Sequence, residues 1–156
     1  MSDTSTATHA NVDTFILLSV MGTTYALRSD QVQHMEMVEN VTRVPNAAPF
    51  VDGVVFSRGQ VVPAVNLRAR FGFERAPYDM RTRLVVVNSR GRHVGLIVDE
   101  GREFLRFPAS AITPPQEALA GLSSQYVEGI ASLNGRLILV LNLDNLLEFS
   151  APLIAA

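Results

Sequence analysis

An internal repeat is the feature of this 156-residue chain that most restricts its fold. Residues 53–67, GVVFSRGQVVPAVNL, align without gaps with residues 129–143, GIASLNGRLILVLNL. Each segment reads as a strand, a turn containing glycine and a second strand, so the repeat predicts two equivalent hairpins. A fainter match sets residues 22–30, GTTYALRSD, against residues 91–99, GRHVGLIVD. The chain is therefore expected to contain two copies of one β unit.

Short apolar runs separated by Gly, Asn and Pro predict an all-β fold, because the long helical patterns of βαβ units are missing. Strands are expected at residues 14–20, 25–28, 35–38, 41–44, 53–56, 61–66, 83–88, 92–99, 103–107, 126–131 and 136–142, and short helices at 67–71 and 143–149. Regularly spaced strands favour small closed barrels, which also hide sheet edges. We therefore expect two small barrels packed together.

The expected domain runs over residues 13–150. The polar stretch around residues 74–79 is its midpoint, which puts the first barrel at roughly 13–76 and the second at roughly 80–142, with exchange of elements between them left open. Residues 1–12 and 151–156 are expected to be tails, since they offer little to bury.

Composition excludes several function classes. The chain has no cysteine, which removes disulfides, thiolate catalysis and Cys-ligated metals. Its net charge of −2 provides no overall basic field for nucleic acid. No apolar run is long enough for a membrane helix, and no signal peptide is visible, so a cytoplasmic protein is expected.

No catalytic motif is visible. The three histidines, His9, His34 and His93, are scattered singly, and the carboxylates form no recognisable pair. We therefore expect no enzyme, no metal and no cofactor. Two other classes stay open: a ligand-binding or enzymatic β-barrel, which needs a pocket with converging polar groups, and a single-strand nucleic-acid barrel, for which the aromatic residues are too few.

What remains is a binding surface. If residues 32–38 are extended, Met35 and Met37 share one face, and methionines are frequent both in cores and at adaptable protein-binding surfaces. Arg58 stands beside Gly59 at the expected hairpin tip. Its fixed set of donors suits a partner carboxylate, although many turn arginines are simply solvated.

Several motifs in order resemble CheW-like domains. They are D-Q-V from Asp30, T-R-V-P from Thr42, the run S-R-G-Q-V-V-P-A-V-N-L-R-A-R-F at residues 57–71, and R-H-V-G-L-I-V-D at residues 92–99. With residues 126–147, the resemblance covers about residues 13–149. It implies two small five-stranded, SH3-like barrels packed together with short helices at the ends.

The resemblance also implies a function. CheW-like proteins are non-catalytic adaptors of bacterial chemosensory arrays, which bind the cytoplasmic tip of methyl-accepting chemoreceptors and the regulatory domain of the histidine kinase CheA. The implied partners are therefore a receptor and a kinase, with no nucleic acid and no direct insertion into the membrane. Self-association in the array is left open, as is a divergent pathway that controls pili or another non-flagellar output.

Two sets of site residues carry over from the motifs. The receptor-binding set is Val32, Gly53, Arg58, Val98 and Asp99. The kinase-binding set, at an edge of the first barrel, is Met37, Val38, Val41 and Thr42.

Two departures from the family pattern concern Arg58. The usual N-L-R-G reads Phe56-Ser57-Arg58-Gly59, and His34 stands where the family often has a glutamate that pairs with the turn arginine. Because a histidine is never an anion, Arg58 is expected either to pair with another acid, such as Glu36 or Asp52, or to be free for a partner.

Overall fold

The computed structural model describes residues 12–115 and 125–148. The strands in these ranges are β1 (Val12–Val20), β2 (Thr23–Arg28), β3 (Val32–Met37), β4 (Val51–Ser57), β5 (Gln60–Asn66), β6 (Arg83–Ser89), β7 (Arg92–Val98), β8 (Glu100–Pro108), β9 (Ile112–Thr113), β10 (Val127–Leu133) and β11 (Arg136–Leu141). The helices are α1 (Leu67–Arg70) and α2 (Leu143–Leu146), with 3₁₀ turns at Ser29–Gln31 and Ala109–Ala111. Of the tails expected at residues 1–12 and 151–156, residues 1–11 and 151–156 lie outside the described residues, whereas Val12 belongs to β1.

The strands form two sheets, each drawing on both halves of the chain. One sheet has six strands in the order β8-β1-β2-β11-β10-β9, and the other has five in the order β3-β6-β7-β5-β4. We call them the terminal barrel and the middle barrel. The first half contributes β1 and β2 to the terminal barrel and β3 to β5 to the middle barrel. The second half contributes β6 and β7 to the middle barrel and β8 to β11 to the terminal barrel. The boundary expected near residues 76–80 is therefore not a boundary between sheets, because the halves exchange strands.

The two barrels are related by the sequence repeats. In the middle barrel, β5 runs parallel to β7, with Ala64 opposite Gly95. In the terminal barrel, β11 runs parallel to β2, with Val140 opposite Ala26. The strong repeat aligns Ala64 with Val140, and the faint repeat aligns Ala26 with Gly95. Both repeats therefore correspond to equivalent strands of one duplicated unit.

The repeated hairpins turn at Arg58-Gly59 and Asn134-Gly135, where φ is 47° and 82° in the first turn and 51° and 77° in the second. Two successive residues with positive φ are typical of the tight turn that matches the twist of antiparallel strands. After each hairpin an asparagine caps the following short helix, because the side chain of Asn66 accepts from the N–H of Ala69 and that of Asn142 accepts from Asn145.

Three apolar clusters hold the fold together. The interior of the terminal barrel contains Phe15 and Phe107, stacked with ring centroids 4.2 Å apart. The interior of the middle barrel contains Leu84 and Val86. The largest cluster lies between the barrels, where β-strand faces and the two short helices meet. Its fully buried members include Leu18, Leu27, Leu67, Leu96, Leu141, Leu143, Leu146 and Leu147. The all-β, two-barrel prediction is confirmed.

The strand expected at residues 41–44 is absent; this prediction was wrong. The segment after β3 touches β4 only at Thr42, which exchanges backbone hydrogen bonds of 2.9 and 2.8 Å with Val54. The apolar alternation around Val41 reflects its packing against the middle-barrel interior. This single bridge brings the segment after β3 back to the far edge strand of the five-stranded sheet.

Candidate docking surfaces

The five receptor-binding candidates lie along the middle barrel and do not form one cluster. Val32 begins β3 opposite Val87, and Val98 ends β7 opposite Arg83. Because Val87 is itself opposite Val94, Val32 and Val98 stand about four residues apart along the sheet, or ~13 Å. Arg58 lies at the tip of the β4–β5 hairpin. Val32 therefore lies between Arg58, at the hairpin tip, and Val98, at the opposite end of β7.

Val98 is part of the core between the barrels and only 1% exposed. Its side chain has no surface to offer a partner, so only the strand end that it occupies can mark a docking site. Val32 is half-buried and packs against the same core from the edge strand, which leaves part of its side chain accessible.

Asp99 is fixed at the junction of the two barrels. Its carboxylate accepts two hydrogen bonds of 2.7 Å from Arg68 and one of 2.8 Å from the backbone N–H of Met21. Partial burial raises the pKa of the Asp99 carboxyl, but these hydrogen bonds outweigh it, so the pKa lies below its ordinary value. Asp99 is ionised and occupied within the fold, which gives it a structural role.

Gly53 is required by the fold at its position. Its φ is +151°, and a Cβ there would lie 2.1 Å from the carbonyl oxygen of Thr42. The bulge that follows Val51 in β4 places the glycine against this neighbouring segment. Space beside the Gly53 backbone is therefore taken by the chain itself, and its contact with a receptor stays a prediction.

Arg58 is the one receptor candidate that is exposed, charged and unpaired among the described residues. Both acids considered for it are engaged elsewhere. Glu36 accepts a 2.8 Å hydrogen bond from the hydroxyl of Ser57 and lies 2.7 Å from Nε2 of His34. Asp52 accepts from Asn66, Arg75 and Tyr78.

The cluster of His34, Glu36 and Ser57 ties β3 to the end of β4. His34 Nε2 lies 2.8 Å from Ser57 Oγ, and the Ser57 side chain is almost fully buried. Glu36 Oε2 and Ser57 Oγ both contact the same ring nitrogen of His34. This is not the relay of a catalytic triad, in which the acid and the serine use opposite nitrogens. The cluster positions the hairpin tip and leaves the guanidinium of Arg58 pointing to no carboxylate in the described chain.

The four kinase-binding candidates occupy the end of β3 and the segment that follows it. Met37 is 45% exposed. Val38 and Val41 pack partly against the middle-barrel interior, while Thr42 is exposed and forms the bridge to β4. These four residues lie within one segment of six residues, in which Met37 is the exposed apolar side chain.

A cavity of about 680 Å³ lies next to this segment, between residues 41–49 and 75–78. Asp52 forms its polar wall and is saturated by Arg75 Nε at 2.7 Å, by Asn66 and by the hydroxyl of Tyr78. The described residues that line the cavity include no serine, threonine or cysteine nucleophile beside a histidine base. Among the described residues, no three His, Asp or Glu side chains converge as metal ligands.

Phe56, the aromatic residue of β4, stands in an apolar run of the sequence but faces the solvent. Phe56 is 72% exposed, and its cross-strand partner Val61 is 65% exposed. The alternation of β4 shows why, since Val55 and Ser57 on either side of Phe56 point inward. Counting inward positions from the buried Gly53 would have found the outward-facing ring.

These features describe a double-barrel module with exposed side chains on several of its surfaces. None of the helices in the described parts is both long and apolar enough to cross a membrane. Comparison with known proteins identifies the class more closely. The family model of the CheW-like domain matches residues 14–151, and the chain belongs to this family. Membership confirms that the chain is a scaffolding protein and not an enzyme.

Individual relatives agree with this assignment. The chemotaxis protein CheW of Klebsiella aerogenes is 30% identical over 86% of this chain and 81% of its own. CheW of Thermotoga maritima is 32% identical over 75% of this chain and 78% of its own. The crystal structure of the scaffolding protein TtCheW from Thermoanaerobacter tengcongensis superposes with a TM-score of 0.82 at 25% identity, covering 91% of this chain and 97% of the other.

Proposed function

We propose that this chain is the adaptor that couples chemoreceptors to a CheA-type histidine kinase in a bacterial chemosensory array in the cytoplasm. The observation that carries the proposal is the CheW-like match over residues 14–151, on a chain whose large apolar core lies between two barrels. Such a core fixes the barrels relative to each other, which an adaptor needs in order to hold two partners in a defined geometry.

The mechanism is differential contact. A receptor in either signalling state binds the same rigid adaptor, and a difference in how the receptor engages it changes the energy of the kinase states. The adaptor contributes geometry and effective concentration, without chemistry. The contact between the two barrels has to be rigid in this mechanism, because a flexible contact would not transmit a movement of the receptor to the kinase.

Separate surfaces serve the two partners in this proposal. Val32 and Arg58 supply accessible receptor contacts on the middle barrel, and Gly53, Val98 and Asp99 complete the receptor-binding set at positions that the fold itself holds. Met37, Val38, Val41 and Thr42 supply the kinase edge, in which Met37 is the main exposed apolar side chain.

The direct test is a titration with a purified receptor cytoplasmic fragment and with the kinase regulatory domain from the same genome. We expect Arg58→Ala to weaken receptor binding, while Met37→Ala weakens kinase binding. Asn134→Ala is the matched control, because Asn134 holds the same turn position in the terminal-barrel hairpin. Retention of neither partner by the unmodified chain at tens of micromolar would refute the proposal.

A second candidate is the same adaptor role in a pathway with a pilus or another non-flagellar output. Its support is the departure at Phe56-Ser57-Arg58-Gly59 together with similarity to the protein PilI of Pseudomonas aeruginosa, 28% identical over 57% of this chain and 50% of that protein. Deletion of the gene followed by separate assays of swimming and of surface motility decides between the outputs.

A further inference from the structure

The cavity between residues 41–49 and 75–78 has the size of a small-molecule site. Its volume of about 680 Å³ lies within the range of about 300–1,000 Å³ that such sites occupy in proteins. Both walls lie outside the strands and helices, yet contacts at its edges hold them in place. Thr42 is bonded to β4 through the backbone, and Arg75 donates to the carbonyl of Pro49 across the two walls.

The apolar part of the lining consists of small side chains. These residues surround the space without filling it, because none of them is larger than a valine: Val41, Val44, Ala47, Ala48, Pro49, Val51, Ala76 and Pro77. Ala47 and Ala48 also pack against the core between the barrels, so one wall is supported by the core. An apolar ring or branched chain that enters the cavity therefore leaves water and contacts apolar surface, which is favourable.

The carboxylate of the lining is already satisfied. The side chain of Asp52 is 9% exposed and is paired with Arg75 Nε at 2.7 Å. It also accepts from Asn66 at 2.9 Å and from the hydroxyl of Tyr78. Because three donors and one cation already engage this carboxylate, it has little to offer to a cationic ligand.

The second arginine of the lining is in the opposite situation. Arg43 is exposed and has no carboxylate partner in the described part of the chain. Its charge acts on the cavity, since partial burial and the bond to Asp52 raise the pKa of Tyr78, whereas the charges of Arg75 and Arg43 oppose this rise. Arg75 is engaged by Asp52 and Pro49. Arg43 is therefore the guanidinium of this lining that is available to an anion.

We propose that the cavity binds a small organic carboxylate, whose apolar body lies against the alanine and valine side chains while its carboxylate pairs with Arg43. A guanidinium can bind a carboxylate through two parallel hydrogen bonds, and one available cation matches a single negative charge. The inference does not rest on the proposed adaptor function, although Val41 of the kinase-binding set is part of the cavity wall.

Three ring compounds of nearly the same shape test the proposal, because they differ mainly in charge: benzoate is an anion, benzamide is neutral and benzamidine is a cation. Each is titrated into the full chain, and binding is followed by the ¹H–¹⁵N NMR shifts of the backbone amides. We expect benzoate to bind about tenfold more tightly than benzamide, since it alone forms charge-assisted hydrogen bonds with Arg43, and benzamidine to bind most weakly. The shifts should centre on residues 41–49 and 75–78.

Two variants separate the charged contact from the apolar one. Arg43→Gln should lower the affinity for benzoate to about that for benzamide and leave benzamide binding within about twofold. Ala76→Leu places a larger side chain in the cavity wall and should weaken both compounds. Arg106→Gln is the matched control for Arg43→Gln: Arg106 is also exposed and without a carboxylate partner among the described residues, but it lies on β8. It should change neither affinity, and thermal unfolding verifies that each variant is folded.

Each contrary result overturns a stated part of the proposal. If benzoate causes no shifts up to about 20 mM, the weak end of the affinity expected for a ligand of this size, the cavity is not a carboxylate site. Equal affinities for the three compounds, or unchanged benzoate binding in Arg43→Gln, refute the role of Arg43. Shifts that centre on other residues place the anion elsewhere and refute the cavity. None of these measurements involves a receptor or a kinase, so their failure is independent of the adaptor function.

Discussion

Arg68 holds Asp99 by two parallel hydrogen bonds, Nε to Oδ1 and Nη2 to Oδ2, each 2.7 Å long. Arg68 belongs to α1, which follows β5 of the middle barrel. The same carboxylate accepts from the N–H of Met21, and the N–H of Asp99 donates to the carbonyl of Ser19, both in the terminal barrel. Asp99 therefore joins the two barrels.

Asp99→Asn should destabilise the chain by about 1–2 kcal/mol at pH 7, since it removes a charge-assisted pair that is partly exposed. The folded-state pKa of Asp99 lies below its unfolded value, so the stabilisation is present above the ordinary carboxyl pKa and is lost as pH falls through the folded-state pKa. Urea unfolding at pH 7 and near pH 3 measures how much stability the chain loses on acidification. The loss should be smaller in Asp99→Asn than in the unmodified chain.

The matched control for Asp99 is Asp30→Asn. The faint repeat aligns Asp30 with Asp99, but Asp30 is exposed. We expect its free energy of unfolding to change by less than about 0.5 kcal/mol. A loss in Asp30→Asn as large as that in Asp99→Asn would contradict the role given to the Arg68 pair.

Gly53→Ala should cost at least about 2 kcal/mol, because a positive φ strains any side chain and the new Cβ would meet the Thr42 carbonyl. Gly59→Ala is the control on the same hairpin: its φ of +82° is also positive, yet nothing lies within 4 Å of the new Cβ. We expect the control to lose clearly less. Equal losses, measured by chemical unfolding, would show that backbone strain alone matters at Gly53.

Ser57→Ala should destabilise the middle barrel by about 1 kcal/mol, since it removes the hydrogen bond from the Ser57 hydroxyl to Glu36 and leaves His34 as the partner of that carboxylate. Ser132→Ala, on the exposed face of the other hairpin, should change stability by less than about 0.5 kcal/mol. Differential scanning calorimetry of the two variants provides the comparison. An unchanged Ser57→Ala protein would mean that the hairpin is held without this cluster.

The duplicated hairpins were predictable because the turn glycines and the capping asparagines interact only with residues that are close to them in the sequence. Asn66 and Asn142 cap the helix that immediately follows them, and Gly59 and Gly135 form the turn they occupy. Sheet membership was not predictable in this way. The exchange that puts β1 and β2 in the terminal barrel and β6 and β7 in the middle barrel depends on which apolar faces meet in the core between the barrels.

The same distinction between local and long-range interactions applies to the candidate site. The motif that contains Arg58 located an exposed turn cation, but its freedom depends on Ser57 and His34, which lie 23 residues apart and meet only in the fold. The burial of Val98 and the exposure of Phe56 were likewise missed, because both residues sit in apolar runs that look alike in the sequence. Whether a position faces the core or the solvent was decided by strand register.

Tyr78→Phe tests whether the segment between α1 and β6 is fastened to the middle barrel. The hydroxyl of Tyr78 donates to Asp52, and Arg75 binds the same carboxylate. Partial burial and the hydrogen bond to Asp52 raise the pKa of Tyr78 above its ordinary value. The folded state thus holds this proton more tightly than the unfolded chain, and stability from this group is complete below about pH 10 and falls as pH rises further.

We expect Tyr78→Phe to lower the free energy of unfolding by about 1 kcal/mol at pH 7, measured by urea unfolding. Between pH 7 and pH 11 the free energy of unfolding should fall less in this variant than in the unmodified chain. Hydrogen exchange in residues 75–79 should become faster, because the segment then depends on Arg75 alone. Arg81→Ala, an exposed residue of the same segment, should leave both measurements unchanged. If exchange in Tyr78→Phe stays as slow as in the unmodified chain, the hydroxyl does not fasten the segment, and Arg75 with the Pro49 carbonyl is sufficient to hold it against the barrel.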